Sequence, residues 1–268
     1  MAFVVWSAAG ALALYLAIVA LMWWAQERLL FHPTVLPPDH RFNLPPDVQE
    51  GWVDVPGARL NTLHLRLPHP DGVVFFLHGN AGSLDTWFVN TDDYRRVNLD
   101  LYMIDYRGYG KSTGRIQGQG QLDADVRAAW EQVAPHYAGL RKVIYGRSLG
   151  TALAARLAAR EQPDLTVLVS PYLDMATLAH EQYPWAPTAV LRGLLRYPLQ
   201  TDQALAAIRT PVMLVHGGRD ALIPATHTQR LHALAPTSQV LIVPEAGHGD
   251  IHEFPDYLEG LARALVAR

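Results

Sequence analysis

Val143-Ile144-Tyr145-Gly146-Arg147-Ser148-Leu149-Gly150-Thr151 is the stretch on which the fold of this chain turns. A short apolar run ends at Gly146, and a helix former rich in Ala and Leu, Leu149 to Arg160, begins almost at once. Ser148 lies between them in the pattern G-x-S-x-G, with glycine two residues before it and two after. A strand before and a helix after are the context in which this pattern holds a serine on a sharp, exposed turn. The glycines are required because strand and helix approach closely there, where a Cβ at 146 or 150 would clash. The hydroxyl then projects clear of the sheet, beside the first amides of the helix.

A serine hydroxyl is a weak nucleophile unless a base takes its proton, and that base needs a third group to orient it. Two later segments supply both. Val212-Met213-Leu214-Val215 runs into His216-Gly217-Gly218-Arg219-Asp220, and Val240 to Val243 runs into Pro244-Glu245-Ala246-Gly247-His248. The order Ser148, Asp220, His248, each after a strand, suits nucleophilic catalysis in a sheet of this kind. Asp174 also follows a strand and is a second candidate for the acid, and His252 for the base. His78 and His216, each followed by glycine, are expected to bond nearby backbone. A tetrahedral oxyanion needs amide donors. Leu149 N–H is one, and the amide after His78-Gly79, that of Asn80, is the other.

Around these loops apolar runs alternate with helical patterns. Val73 to Leu77 is continuously apolar, as for a strand covered on both faces, and Leu99 to Ile104, Thr166 to Val169, Val212 to Val215 and Val240 to Val243 follow suit. Leu122, Val126, Ala129, Trp130 and Val133 share one helical face, as do Leu258, Leu261 and Leu265. Gly51 to Val55 and Leu60 to Leu67 read as a strand pair. The alternation predicts an α/β fold with a mostly parallel sheet and helices on both faces. Residues 171–210 are too long for a simple crossover and rich in large apolar side chains. They are read as a cap over the carboxyl ends of the strands, with Tyr172, Leu173, Tyr183 and Trp185 as candidate substrate contacts.

Met1 to Ala25 contains no charged side chain and would reach about 37 Å as a helix, more than the ~30 Å hydrocarbon core of a bilayer. Trp6 near one end and Trp23 and Trp24 near the other sit where aromatic belts lie. The expectation is an uncleaved single-pass anchor over residues 1–25, making the membrane a partner and the location. A cleaved signal peptide fits less well, for want of a basic start and a cleavage site. Six prolines between residues 31 and 56 suggest a tether over 26–50, leaving 51–268 for the α/β domain.

Composition removes other classes of function. A net charge of −3 with no Lys/Arg run argues against nucleic acid as a partner. The absence of cysteine removes thiol nucleophiles, disulfides and Cys-ligated metals. His248-x-Asp250-x-His252 lacks a third ligand set nearby, so no metal is expected. Gly110-Lys111-Ser112 is no P-loop, since Asp105 stands where its first glycine belongs, and Gly108-Tyr109-Gly110 with Gly114 misses the dinucleotide spacing.

The chain resembles the α/β-hydrolase family over about residues 50–268. The likeness rests on His78-Gly79-Asn80-Ala81-Gly82, Asp105-Tyr106-Arg107-Gly108-Tyr109-Gly110-Lys111-Ser112, Gly146-Arg147-Ser148-Leu149-Gly150, Gly218-Arg219-Asp220 and Gly247-His248. Within the family it looks most like small, N-terminally membrane-anchored serine hydrolases related to lipid hydrolases and protein depalmitoylases. The resemblance implies an eight-stranded sheet with a short helical cap. It also implies a cofactor-free serine hydrolase of carboxylic esters or thioesters, acting through a Ser148–His248–Asp220 triad on a small-molecule or lipid substrate. An aminopeptidase-like enzyme, which needs carboxylates in the cap such as Asp174, Glu181 or Asp202, and a non-catalytic interaction module are the alternatives.

Overall fold

The computed structural model describes the backbone of residues 2–267 and the side chains of residues 9, 10 and 13–267. Eight strands form one sheet: β1 (Val48–Val55), β2 (Ala58–Leu65), β3 (Gly72–Leu77), β4 (Leu99–Ile104), β5 (Arg141–Arg147), β6 (Leu165–Val169), β7 (Val212–Gly217) and β8 (Gln239–Val243). Their spatial order is β8-β7-β6-β5-β3-β4-β2-β1. The β1–β2 and β2–β4 pairs are antiparallel and the rest parallel. The order reverses between β3, β4 and β5, which puts β5 near the middle with its carboxyl end at a crevice.

The central strands are largely apolar because they feed two cores. Val73, Phe75 and Leu77 face a cluster with Ile144, Leu168 and Leu214, packed under the helices Gln119–Val133 and Leu149–Glu161. Val74 and Phe76 face the other side, with Tyr145, Val167 and Val215, under the helix Pro255–Val266. All five residues of the expected stripe, Leu122, Val126, Ala129, Trp130 and Val133, are buried. Each fully buried aliphatic or aromatic side chain contributes about 2 kcal/mol.

The membrane expectation is corrected. Among the described residues no helix is long and apolar enough to cross a membrane. The stretch is helical, Ala2–Trp24, and one of its faces is turned to the rest of the protein. Trp6 lies outside the described side chains. Tyr15, Val19, Met22 and Trp23, spaced i, i+4, i+7 and i+8 and so on one helical face, line a cavity shared with the cap. Tyr15 meets Trp185 edge to face at 6.2 Å, and Arg196 donates to the Trp23 carbonyl at 3.1 Å. The apolar residues read as a lipid-facing span are therefore partly spent on the protein's own cap. The single-pass anchor, the membrane as a partner and the membrane location all fall with that span.

The segment that follows makes its own contacts with the cap. A short helix, Gln26–Leu30, holds the end of the cap: Gln26 donates to the Leu194 carbonyl and accepts from Arg196 N–H, while Glu27 accepts from Arg196 and Tyr197. His32 and Pro33 pair in parallel with Ala81 and Gly82, beside the loop expected to supply an oxyanion donor.

Candidate active site

The strand β5 ends at Arg147, and the helix Leu149–Glu161 starts one residue after Ser148, which is held at φ 52°, ψ −121°. A positive φ of this kind costs a non-glycine residue about 1–3 kcal/mol and persists only where the surroundings impose it. They do so here. Ser148 N–H donates to the Val169 carbonyl at 2.9 Å, and the Ser148 carbonyl accepts from Thr151 N–H at 2.9 Å and Thr151 Oγ1 at 2.6 Å. Gly146 and Gly150 are the contact points: a Cβ on the first would lie 2.6 Å from Ala154 Cβ, and one on the second 2.6 Å from the His78 carbonyl and closer still to that of Leu77. Gly150→Ala should therefore destabilise the protein by about 3 kcal/mol, the upper range for overpacking. Gly120→Ala, at a helical site with nothing within 4 Å of the new Cβ, should stabilise by about 0.5 kcal/mol. Urea denaturation of the two variants checks the contrast.

The three loops converge. His248 Nε2 stands 3.0 Å from Ser148 Oγ, and His248 Nδ1 stands 2.7 Å from Asp220 Oδ2. Asp220 at neutral pH is acceptor only, so Nδ1 carries the hydrogen and Nε2 is left to accept from the serine hydroxyl. Asp220 is itself fixed: Oδ1 accepts the Leu222 and Ile223 amides at 3.0 and 2.8 Å. Burial would raise its pKa, but hydrogen bonds from His216, His248 and the Ile223 amide outweigh that and hold the carboxyl well below the usual carboxylate range.

The other candidates have different partners. Asp174 caps the helix Met175–Gln182, accepting from Thr177 N–H at 2.9 Å and Thr177 Oγ1 at 2.6 Å. His252 lies beside Arg147, 3.4 Å from its Nη1. Asp250 accepts the Gly247 amide at 2.7 Å, so residues 248, 250 and 252 face three different partners. His216 donates through Nε2 to the Ile223 carbonyl at 2.7 Å, and His78 through Nδ1 to the Gly79 carbonyl at 2.8 Å.

That last bond aims the next amide. In a planar trans peptide the N–H points opposite to the C=O, so a Gly79 carbonyl turned toward His78 turns the Asn80 N–H away from it. Tyr109 Oη and His32 N–H hold the Asn80 carbonyl at 2.7 and 2.8 Å, and Asn80, Ser148 and Leu149 all line one cavity.

Two cavities meet at Ser148. One, about 310 Å³, runs between the Ala2–Trp24 helix and the cap and is lined by Tyr172, Tyr183, Trp185, Leu178, Leu191 and Leu194 among others, with no carboxylate among the described residues. Leu173 is not among its lining residues; it packs into the core under the sheet. The second, about 450 Å³, lies on the other side and is lined by Trp87, Tyr94, Arg147, His248, His252 and Tyr257. The wall formed by Tyr15, Val19, Met22 and Trp23 is missed from sequence because every neighbour of these residues is apolar too, which hides the face. Arg147 is missed because it fills an unspecified position of G-x-S-x-G.

Comparison with known proteins agrees with this architecture. A family described as serine aminopeptidase, S33, matches residues 68–197. An uncharacterized protein of Mycobacterium tuberculosis is 32% identical over 251 residues, covering 91% of this chain and 86% of that one. Human alpha/beta hydrolase domain-containing protein 17B is 30% identical over 213 residues, covering 76% and 70%. Among solved structures, an esterase of Pyrococcus furiosus superposes with a TM-score of 0.69 at 17% identity, over 88% of this chain and 97% of that one, a likeness of fold alone. By its sheet order, its elbow and these relatives, the chain belongs to the α/β-hydrolase family and is a hydrolase.

Proposed function

We propose that this hydrolase cleaves carboxylic esters or thioesters of apolar acyl groups by way of an acyl-serine. The observation that carries the reading is the apolar cavity, free of carboxylates, that opens onto Ser148. His248 Nε2 takes the proton as Ser148 Oγ attacks the carbonyl carbon, Asp220 holds the imidazole in the tautomer that can accept it, and the Asn80 and Leu149 amides receive the oxyanion. Collapse breaks the bond to the leaving oxygen or sulfur, which takes the proton back from His248. Water, deprotonated by the same imidazole, then releases the acid.

The aminopeptidase alternative needs an acid near the site to hold a substrate ammonium. Glu181 is engaged 2.8 Å from His227 Nε2, and Asp174 is a helix cap. Neither Glu181, Asp174 nor Asp202 lines the apolar cavity.

An apolar acyl site predicts a chain-length preference. Burial is worth about 0.8 kcal/mol per methylene, so octanoyl esters should exceed acetyl esters in kcat/KM by about 100-fold or more. Ala179→Trp, which fills the cavity from its cap side, should cut the octanoyl rate about 10-fold and leave the acetyl rate nearly intact. Hydrolysis of a nitrophenyl ester series checks both. Equal rates for all chain lengths, or a preference for aminoacyl arylamides, would remove the reading.

A further inference from the structure

The proposed acyl-serine route leaves open what occupies the second cavity, which shares Ser148 with the apolar one but has a different chemistry. Its wall contains Arg147, a residue only 8% exposed. Among the described residues no carboxylate lies within 4.0 Å of it: Nη2 donates to the His248 and Gly249 carbonyls at 3.0 and 3.1 Å, Nη1 sits 3.4 Å from His252 Nδ1, and the group lies 5.4 Å over the Trp87 ring. No described protein atom accepts from Nε. Asp93, the one carboxylate lining this cavity among the described residues, is 2.9 Å from Arg96. A buried cation is costly unless a counter-charge accompanies it, and carbonyls and a ring face compensate only in part. Burial first, and then the Arg147 charge, hold His252 below its ordinary value, so at neutral pH it adds no second cation.

We propose that the second cavity is a leaving-group site for an anion, a carboxylate or phosphate, paired to Arg147. The inference rests on the acyl-ester reading and extends it. The acyl part enters the apolar cavity between helix and cap, and the alcohol or thiol departs on the opposite side, carrying a negative charge that the guanidinium meets. Arg147 is thus a specificity residue. Nη2 is held by the two carbonyls, so the anion is met by the charge and by the donors left on Nε and Nη1.

Three octanoyl esters of matched shape test this: those of 3-hydroxybenzamide, 3-hydroxybenzoate and 3-hydroxyphenyl phosphate. The wild type should favour the anionic esters by about 10-fold in kcat/KM, carried by KM, and the better of the two names the source of the charge. Arg147→Gln should lose that preference, and Arg147→Lys should keep part of it. Because Arg147 also braces the His248 loop, a purely structural role would slow all three esters alike with their ratio unchanged, and that result would overturn the proposal. Calorimetry of the uncleaved esters with Ser148→Ala separates binding from turnover. A 10-fold preference in binding without any product from the wild type would leave the anion site standing and remove the ester reading. Equal binding of all three would remove the anion site.

Discussion

Ser148→Ala should lower kcat/KM for a nitrophenyl octanoate by about 10⁵-fold or more while the protein stays folded, because the group that forms the covalent bond is gone. The change is small in volume, and the bonds that impose the turn involve the backbone of residue 148, so the elbow should survive it. His248→Ala should fall by a similar factor. The double variant should fall no further, since nucleophile and base act as one unit. Losses that simply multiply would mean that the two residues act separately. Circular dichroism and melting curves show whether each variant retains its fold.

Asp220→Asn should cost about 10⁴-fold in kcat, the second-largest effect. The amide keeps an oxygen for the Leu222 and Ile223 N–H groups, so the loop is preserved. Its NH₂ then faces His248 Nδ1 and donates to it, forcing the hydrogen onto Nε2, where it meets the serine hydroxyl as a donor instead of an acceptor. A stability difference should accompany the rate. Because the folded carboxyl is held below its ordinary value of about 3.9, its ionised form stabilises the native state above that pH, and the contribution is lost as pH falls through the folded value. The gap between wild type and Asp220→Asn should therefore be full at pH 6 and shrink below pH 4. A gap that widens on acidification would contradict the assignment.

The parts of this protein legible in its sequence are those where a local rule has one solution. A run such as Val73 to Leu77 admits only a strand covered twice, and it feeds both cores. The two glycines at the elbow stand where any Cβ would collide, and the order of serine, acid and histidine follows the order of the strands. Residues whose role depends on distant partners were not legible. Asp174 follows a strand as Asp220 does, and only the fold shows one capping a helix and the other meeting an imidazole. Leu173 and Tyr172 are adjacent and both join the core, yet only Tyr172 also lines the cavity. The Ala2–Trp24 helix misleads most: uniform apolarity reads as a span, while one of its faces packs against Trp185 and the site. Gln26 and Glu27, the first polar residues after it, give the only local hint of docking, and their partners lie some 170 positions away.

The most direct test is the mass of the intact protein after exposure to a fluorophosphonate, followed by peptide mapping. One adduct per chain, carried on the peptide containing Ser148 and absent after His248→Ala, is the predicted result. A folded protein that takes no adduct, or takes it on another residue with Ser148 unmodified, would contradict the claim that an imidazole activates the hydroxyl at this elbow.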